Sequence, residues 1–181
     1  MSPGHSGTRP LTGIQLAIFT WGILGLSAIL GQAVLRLLPL ALEPIQGGSL
    51  TAPGWAAYAA SVGVMAYSEG YRGFQTSFCP RAVARAVEIA RRGGWPAVLA
   101  PIAAGGLVYA TRRRLIGSWG LLGGIVVLIL LVRMLSQPWR GAVDAGVVVG
   151  LSWGIVALLT MAVRALRGDV PDVDTQLPPA A

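Results

Sequence analysis

The fold class is decided by residues 115–132, which read LIGSWGLLGGIVVLILLV and carry no charged side chain. Arginines bound this stretch on both sides, at Arg112-Arg113-Arg114 and at Arg133. About 20 apolar residues in helical form cross the roughly 30 Å hydrocarbon core of a bilayer. The stretch therefore predicts a transmembrane helix over 115–133.

The composition of the whole chain points to the same class. Of 181 residues, 54% are hydrophobic and 12% charged, whereas soluble domains carry about 25% charged residues. This composition excludes a water-soluble globular domain, and it excludes a disordered chain, which needs low hydrophobicity. We expect an all-α integral membrane protein that crosses a bacterial-type cytoplasmic (inner) membrane several times.

Three further apolar stretches predict spans over about 13–36, 50–72 and 144–164. Together with 115–133 they form a single membrane domain over 13–167 with four transmembrane helices. Residues 1–12 and the acidic, proline-rich residues 168–181 are expected to be disordered tails in water.

A shorter apolar segment over 95–111 is interrupted by Pro96, Pro101 and the pair Gly105-Gly106. Its helical part would reach only about 22 Å at 1.5 Å per residue. The segment is therefore either a fifth span or a re-entrant segment that returns to the side it left.

The distribution of arginines favours the re-entrant alternative, because cytoplasmic loops are enriched in arginine. With four spans and a cytoplasmic N-terminus, eleven of the 14 basic residues lie inside; with five spans, eight do. The eleven are Arg9, Arg72, Arg81, Arg85, Arg91, Arg92, Arg112, Arg113, Arg114, Arg164 and Arg167. We prefer four spans with both termini cytoplasmic and keep five as the alternative.

Residues 67–78, YSEGYRGFQTSF, hold the most polar and aromatic stretch next to a predicted span. On a helix, Glu69 and Arg72 are three residues apart and are expected to pair, with Gln75 on the next turn. One interpretation is an aromatic belt at headgroup depth. The other is a polar site at which these side chains hold a lipid headgroup, an ion or a partner.

The next stretch, 80–92, predicts a basic amphipathic helix that begins at Pro80. Its polar positions, Arg81, Arg85, Glu88 and Arg92, recur at spacings of four, three and four. Its opposite face is small and apolar. Such a helix is expected to lie at the membrane interface, on the anionic cytoplasmic leaflet.

The triplet Arg112-Arg113-Arg114 is the densest charge in the chain and is typical of a topology anchor beside a span. If 95–111 is re-entrant, the triplet lies on the same face as the arginines of 80–92. Because arginine binds phosphate in bidentate fashion, anionic lipid headgroups are the expected partners. Nucleic acid is not expected, since no soluble binding module accompanies the charge.

Small residues predict where helices pack closely. Gly146, Gly150 and Gly154 recur every fourth residue in the last span, and Gly120 and Gly124 do so in the preceding one. Such rows bring a neighbouring helix close, either within one chain or across a homo-oligomer or larger membrane complex. At the start of the last span, Arg140 and Asp144 are four residues apart and are expected to form an ion pair.

The chemical inventory offers no catalytic site. The chain has one His, one Cys and no Lys, which excludes an internal disulfide, a His-based metal cluster and lysine chemistry. No Ser–His pair and no carboxylate pair at metal-binding spacing is present in the sequence. We expect no metal and no cofactor.

Three functional hypotheses follow. The preferred one is a membrane component without catalytic machinery, either an accessory or assembly subunit or a protein that binds lipid and a partner through its arginine-rich cytoplasmic face. The second is a small homo-oligomeric carrier or channel with a polar path through Glu69 and Arg72. The third is a membrane enzyme acting on a lipid or isoprenoid phosphate, which the scarcity of acidic residues for a metal disfavours.

Overall fold

The computed structural model describes residues 10–48 and 50–178, and these ranges contain helices and connecting segments but no strand. The prediction of an all-α fold is confirmed. The remaining residues, which include most of the predicted N-terminal tail, lie outside the described ranges. The helices are α1 (Gly13–Gln46), α2 (Ala52–Met65), a π-helical segment (Ala66–Phe78), α3 (Cys79–Arg92), α4 (Trp95–Val98), α5 (Ala100–Gly105), α6 (Arg112–Arg133) and α7 (Trp139–Leu166).

Three of these helices, α1, α6 and α7, are long and apolar enough to cross a membrane, with 34, 22 and 28 residues. They contain the first, third and fourth predicted spans. The second predicted span, 50–72, differs: α2 has 14 residues and continues without a break through the π-helical segment into α3. The expected helix end near residue 72 does not occur, and the chain stays helical to Arg92.

Helix α1 extends ten residues beyond the predicted end at residue 36 and contains Pro39 and Pro44. Proline inside a helix removes one backbone hydrogen bond and disfavours the helix. Packing compensates here, since Ala41 and Pro44 are buried and Pro44 lies against Gly141 at the start of α7. The hydroxyl of Tyr58 in α2 also donates to the carbonyl of Ala41 at 2.9 Å.

The core lies between α1, α3 and α7, and α5 covers one side of it. It is built largely from alanine, which lets helix backbones approach closely. Its buried side chains include Phe19, Ile23 and Leu26 of α1, Cys79, Ala82, Val83, Ala86, Val87 and Ala90 of α3, Ala104 of α5, and Ala157, Leu158, Ala162 and Ala165 of α7.

Helix α3 covers the stretch 80–92, for which an interfacial helix is predicted, and it packs within the bundle. Its predicted apolar face, with Val83 and Val87, packs on α1 and α7. The predicted polar face is covered as well, because Ala84 and Arg85 are buried. The segment after α3 covers this polar side, since Gly106 lies against Arg85.

The segment 95–111 folds back on itself. Short helices α4 and α5 run along α1, where the Trp21 indole donates to the Val98 carbonyl at 3.1 Å. The chain turns at Gly106, whose φ of +79° closes the end of α5. It then returns, so that the ring of Tyr109 lies edge-on to Trp95 with centroids 5.3 Å apart. We call residues 95–111 the hairpin.

The residues after α7 lie against this end of the molecule. The sequence predicts a solvated tail from residue 168, but the Gln176 carbonyl accepts from the Thr111 N–H at 2.8 Å. The Pro178 carbonyl accepts from Arg92 at 2.7 Å. Leu177 packs beside Ile89 and the hairpin. Residues 168–178 therefore connect the ends of α3, the hairpin and α7.

Candidate functional site

The predicted polar site on 67–78 is divided between the surface and the bundle. Glu69 and Arg72 are exposed. Among the described residues the ion pairs are Arg92–Glu88 and Arg140–Asp144, so Glu69 and Arg72 do not pair. The π-helical segment explains this, because its wider turn no longer stacks residues three apart. Gln75 points to α7, where its side-chain oxygen accepts from the Trp153 indole at 2.7 Å.

The aromatic residues of the same segment form two pairs instead of one stripe. The exposed rings of Tyr67 and Tyr71 stack with centroids 6.1 Å apart. Phe74 and Phe78 meet edge-on at 5.5 Å and pack on the core. Of the predicted aromatic belt, the two tyrosines therefore face outward, and the two phenylalanines pack the π-helical segment against the core.

The triplet Arg112-Arg113-Arg114 forms the first turn of α6, and its members differ in environment. Arg112 and Arg113 are exposed, whereas Arg114 is half-buried and turns toward the tip of the hairpin. A Cβ placed on Gly106 would lie 2.9 Å from Nε of Arg114. That Nε has no hydrogen-bond acceptor.

Arg85 has a different environment from the one that its spacing predicts, the polar face of a helix at the membrane interface. Its side chain is 0% exposed. Its guanidinium lies against Gly106, so that a Cβ there would be 3.1 Å from Cζ of Arg85. None of Nε, Nη1 and Nη2 has a hydrogen-bond acceptor. A signal for this burial was present, since α3 carries alanine at position 84 on its polar side as well as on its apolar face.

A third arginine completes this group. Arg81 lies one turn before Arg85 and is half-buried; its Nη2 donates to the Ser77 hydroxyl and its Nε has no acceptor. Burial first, then the charges of Arg114 and Arg81, lower the pKa of Arg85 to about 10. Arg85 is thus still charged at pH 7. We call Arg81, Arg85 and Arg114, with Gly106 between them, the arginine cluster.

Within residues 10–48 and 50–178, no carboxylate forms an ion pair with the arginine cluster. Glu88 is the one acidic residue between positions 70 and 143, and it accepts from Arg92 at 2.7 Å. Asp169, Asp172 and Asp174 in the C-terminal segment are exposed, and none of them forms an ion pair among the described residues. The charge of the arginine cluster is therefore uncompensated.

A second polar group lies at the opposite end of the bundle, where α1 ends and α7 begins. The Gln137 amide donates to Glu43 at 2.9 Å, and its oxygen accepts from the Gly141 N–H at 3.0 Å. Nε of Arg140 lies 3.6 Å from Oδ2 of the buried Asp144, so the structure brings this expected pair together. These contacts connect α1 to α7, which fits a structural role.

The predicted packing glycines fall into two groups. Gly146, Gly150 and Gly154 of α7 lie against Ser61, Glu69 and Phe74, within the same chain. Gly120 and Gly124 of α6 have no atom within 4 Å of a placed Cβ. The first group thus packs inside the monomer, and the second faces away from it.

Helix α6 stands apart from the rest of the bundle. Of its 22 residues only Ser118 is buried, and its contacts with α7 are few. Its first two turns are attached to the hairpin, where the Trp119 indole donates to the Leu107 carbonyl at 3.1 Å. From Leu121 to Leu131 every side chain is exposed. Helix α6 therefore presents a long apolar surface that makes few contacts with the rest of the described chain.

No protein-family model, curated protein or solved structure matches this chain. Within residues 10–48 and 50–178, no three His, Cys, Asp or Glu side chains come together in a way that could hold a metal ion. The functional interpretation therefore depends on two features of the chain itself, the exposed α6 and the arginine cluster.

Proposed function

We propose that this protein is an assembly component of a bacterial-type inner membrane, without catalytic machinery, which associates through α6 and binds anionic lipid at its arginine-rich cytoplasmic end. In this proposal four spans, α1, α2 with the π-helical segment, α6 and α7, cross the membrane, and both termini are cytoplasmic. The fold of the hairpin supports this topology. Because Tyr109 returns to Trp95, Arg112 and Arg113 begin α6 at the end where α3 finishes.

The observation that carries the proposal is the isolation of α6. A lone apolar helix is stable in lipid, but lipid contact does not require glycine on the helix surface. Gly120 and Gly124 are four residues apart and open, with Gly117 on the same side. Small residues at this spacing let a second helix approach to backbone contact. The surface of α6 therefore suits a helix partner better than lipid alone.

We assign a second copy of this chain as that partner. A Gly-xxx-Gly face is self-complementary, because two copies related by a two-fold axis place glycine against glycine. Arg112 and Arg133 lie at the two ends of α6, outside the apolar middle of the contact. Two parallel α6 helices can therefore meet along their centres without bringing charge into the apolar region.

The test is disulfide cross-linking in native membranes. The single Cys79 is fully buried, so Gly124→Cys in a Cys79→Ala background provides the one accessible thiol of the described chain. A dimer cross-linked by mild oxidation is expected for Gly124→Cys. The matched control is Gly63→Cys in α2, which is also helical and open and is expected to remain monomeric.

A second variant tests whether the glycine face makes the contact. Gly120→Leu should abolish the Gly124→Cys cross-link without lowering the amount of protein in the membrane. Gly63→Leu should leave the cross-link intact. A cross-link that survives Gly120→Leu, or one formed equally at both cysteine positions, contradicts association through α6. A cross-link to a different protein would assign the face to a hetero-complex instead.

The two other hypotheses receive no support from the geometry. A carrier or channel needs polar groups along an internal path, but Glu69 and Arg72 lie exposed on the outside of the bundle. An enzyme acting on a phosphate ester would need a base or a metal near the arginines. The arginine cluster has no carboxylate, histidine or thiol among the contacts described for it.

A further inference from the structure

The arginine cluster has the properties of an anion site. Arg85 is fully buried and uses none of its five N–H donors. Burying a polar group without a hydrogen bond is unfavourable, and burying an unpaired charge is more unfavourable still. Native proteins therefore rarely keep an unpaired guanidinium in this position unless something binds it.

The three guanidinium groups of the cluster lie close together, although like charges are expected to lie apart. Arg81 and Arg114 both lie close enough to Arg85 to disfavour its charged form. Three guanidinium groups repel one another strongly in a poorly hydrated interior. An anion with more than one negative charge would reverse this repulsion and satisfy several N–H groups together.

The three guanidinium groups are arranged from the interior of the bundle toward its surface. Arg85 is fully buried, while Arg81 and Arg114 are half-buried. Gly106 lies against the guanidinium groups of Arg85 and Arg114, and a side chain at that position would collide with Nη1 of Arg85. Because Gly106 has no side chain, the tip of the hairpin leaves room for both guanidinium groups.

We propose that Arg81, Arg85 and Arg114 form a binding site for a phosphate oxyanion at the tip of the hairpin. Arginine matches the geometry of phosphate with paired N–H donors, and three guanidinium groups at half-buried and buried positions suit its charge. The oxyanion belongs either to the headgroup of an anionic phospholipid or to free phosphate. The inference deepens the lipid-binding part of the proposed function and rests on it for the lipid source.

The test uses the full chain, purified in an uncharged detergent and stripped of lipid. Thermal unfolding is measured at constant ionic strength with inorganic phosphate, with phosphatidylglycerol or with zwitterionic phosphatidylcholine. Stabilisation by phosphate and phosphatidylglycerol assigns a general phosphate site. Stabilisation by phosphatidylglycerol alone assigns the site to a lipid headgroup. Equal stabilisation by phosphatidylcholine, or by none of the three, overturns the proposal.

Variants separate the site from general surface charge. Arg85→Met and Arg114→Gln should weaken the apparent affinity for the stabilising anion at least about tenfold, the effect of losing one charge-assisted hydrogen bond. The matched control is Arg113→Gln, which removes the same charge from an exposed neighbour; it should change the affinity less than about twofold. If Arg113→Gln weakens binding as much as Arg114→Gln, the effect is surface charge and the proposal fails.

A further measurement distinguishes the site from a purely structural role of Arg85. If Arg85 is an unpaired charge in the empty protein, Arg85→Met should keep or raise the unfolding temperature when no anion is added. A marked fall in that temperature together with loss of the anion effect would assign Arg85 to packing, and Arg114→Gln then decides whether an anion binds. The Gly124→Cys cross-link is measured in parallel, so that failure of the anion site is distinguished from failure of α6 association.

Discussion

At the residue scale, the glycines of α6 and α7 have opposite environments although the sequence places them in the same kind of row. A Cβ on Gly154 would lie 2.6 Å from Cδ1 of Phe74, whereas one on Gly124 would meet nothing within 4 Å. The packing around each glycine therefore decides whether a side chain can be accommodated there.

We expect Gly154→Ala to destabilise the protein by about 1–3 kcal/mol, because the added methyl group overpacks the contact with Phe74. Gly63→Ala in α2, where a placed Cβ meets nothing within 4 Å and which lies outside the proposed α6 contact, should be neutral or stabilising by up to about 1 kcal/mol, because alanine is the better helix former. Reversible unfolding in mixed micelles measures both. A stabilising Gly154→Ala would mean that α7 does not pack on the π-helical segment in this way.

Burial of Cys79 leads to a second prediction at this scale. Its thiol is fully buried, and Sγ donates to the carbonyl of Gly154 at 3.5 Å. In the folded protein, labelling of Cys79 by a small maleimide should therefore be at least about a hundredfold slower than after denaturation in sodium dodecyl sulfate. Mass spectrometry of the labelled chain measures the ratio. Comparable rates in the two states would contradict the packing of α3 between α1 and α7.

At the element scale, the hairpin depends on the turn at Gly106. A left-handed conformation costs an ordinary residue roughly 1–2 kcal/mol, and here a side chain would also strike Arg85. We expect Gly106→Ala to destabilise the protein by at least about 1 kcal/mol and to increase proteolysis within 95–111. Gly117→Ala, in open space on α6, is the control and should do neither. If the two variants had the same stability and the same rate of proteolysis within 95–111, a left-handed turn at Gly106 would be contradicted.

The elements differ in how far their sequences determine them. For α1, α6 and α7, long apolar runs with arginine at their borders predict the helices, because lipid-facing helices need no particular neighbour. In the sequence of α3 itself, only Ala84 on the polar side indicates that this side is buried. A spacing of four, three and four residues fits a helix with its polar face in water as well as it fits a helix covered on both faces. Only the packing of the hairpin over Arg85 shows that the polar side of α3 is covered. The arginine cluster was missed for the same reason, although Arg114 was a candidate.

On the scale of the whole molecule, the distribution of arginine connects the fold to its orientation. Helix α3 ends with Arg91 and Arg92, the hairpin returns beside it, and Arg112 and Arg113 then begin α6. Positive charge is thus collected at one end of the bundle. Because cytoplasmic loops are enriched in arginine, this end should face the cytoplasm.

The orientation is tested with single cysteines in the Cys79→Ala background and a membrane-impermeant maleimide. Ser136→Cys and Arg113→Cys lie at opposite ends of α6 and serve as controls for each other. In intact cells we expect labelling of Ser136→Cys, and labelling of Arg113→Cys only after the membrane is opened. Gly48→Cys, beyond the end of α1, should be labelled in intact cells like Ser136→Cys.

The alternative topologies give different patterns for the same three positions. If the hairpin region crossed the membrane as a fifth span, Gly48→Cys and Arg113→Cys would both be labelled in intact cells and Ser136→Cys would be protected. An inverted four-span protein would expose Arg113→Cys alone. Either pattern would move Arg114 to the outer leaflet, where the bilayer of a bacterial-type inner membrane would still offer phosphate headgroups but the arginine-rich end would no longer be cytoplasmic. Protection of Arg113→Cys with labelling of the other two therefore supports the orientation on which the lipid-binding part of the proposed function depends.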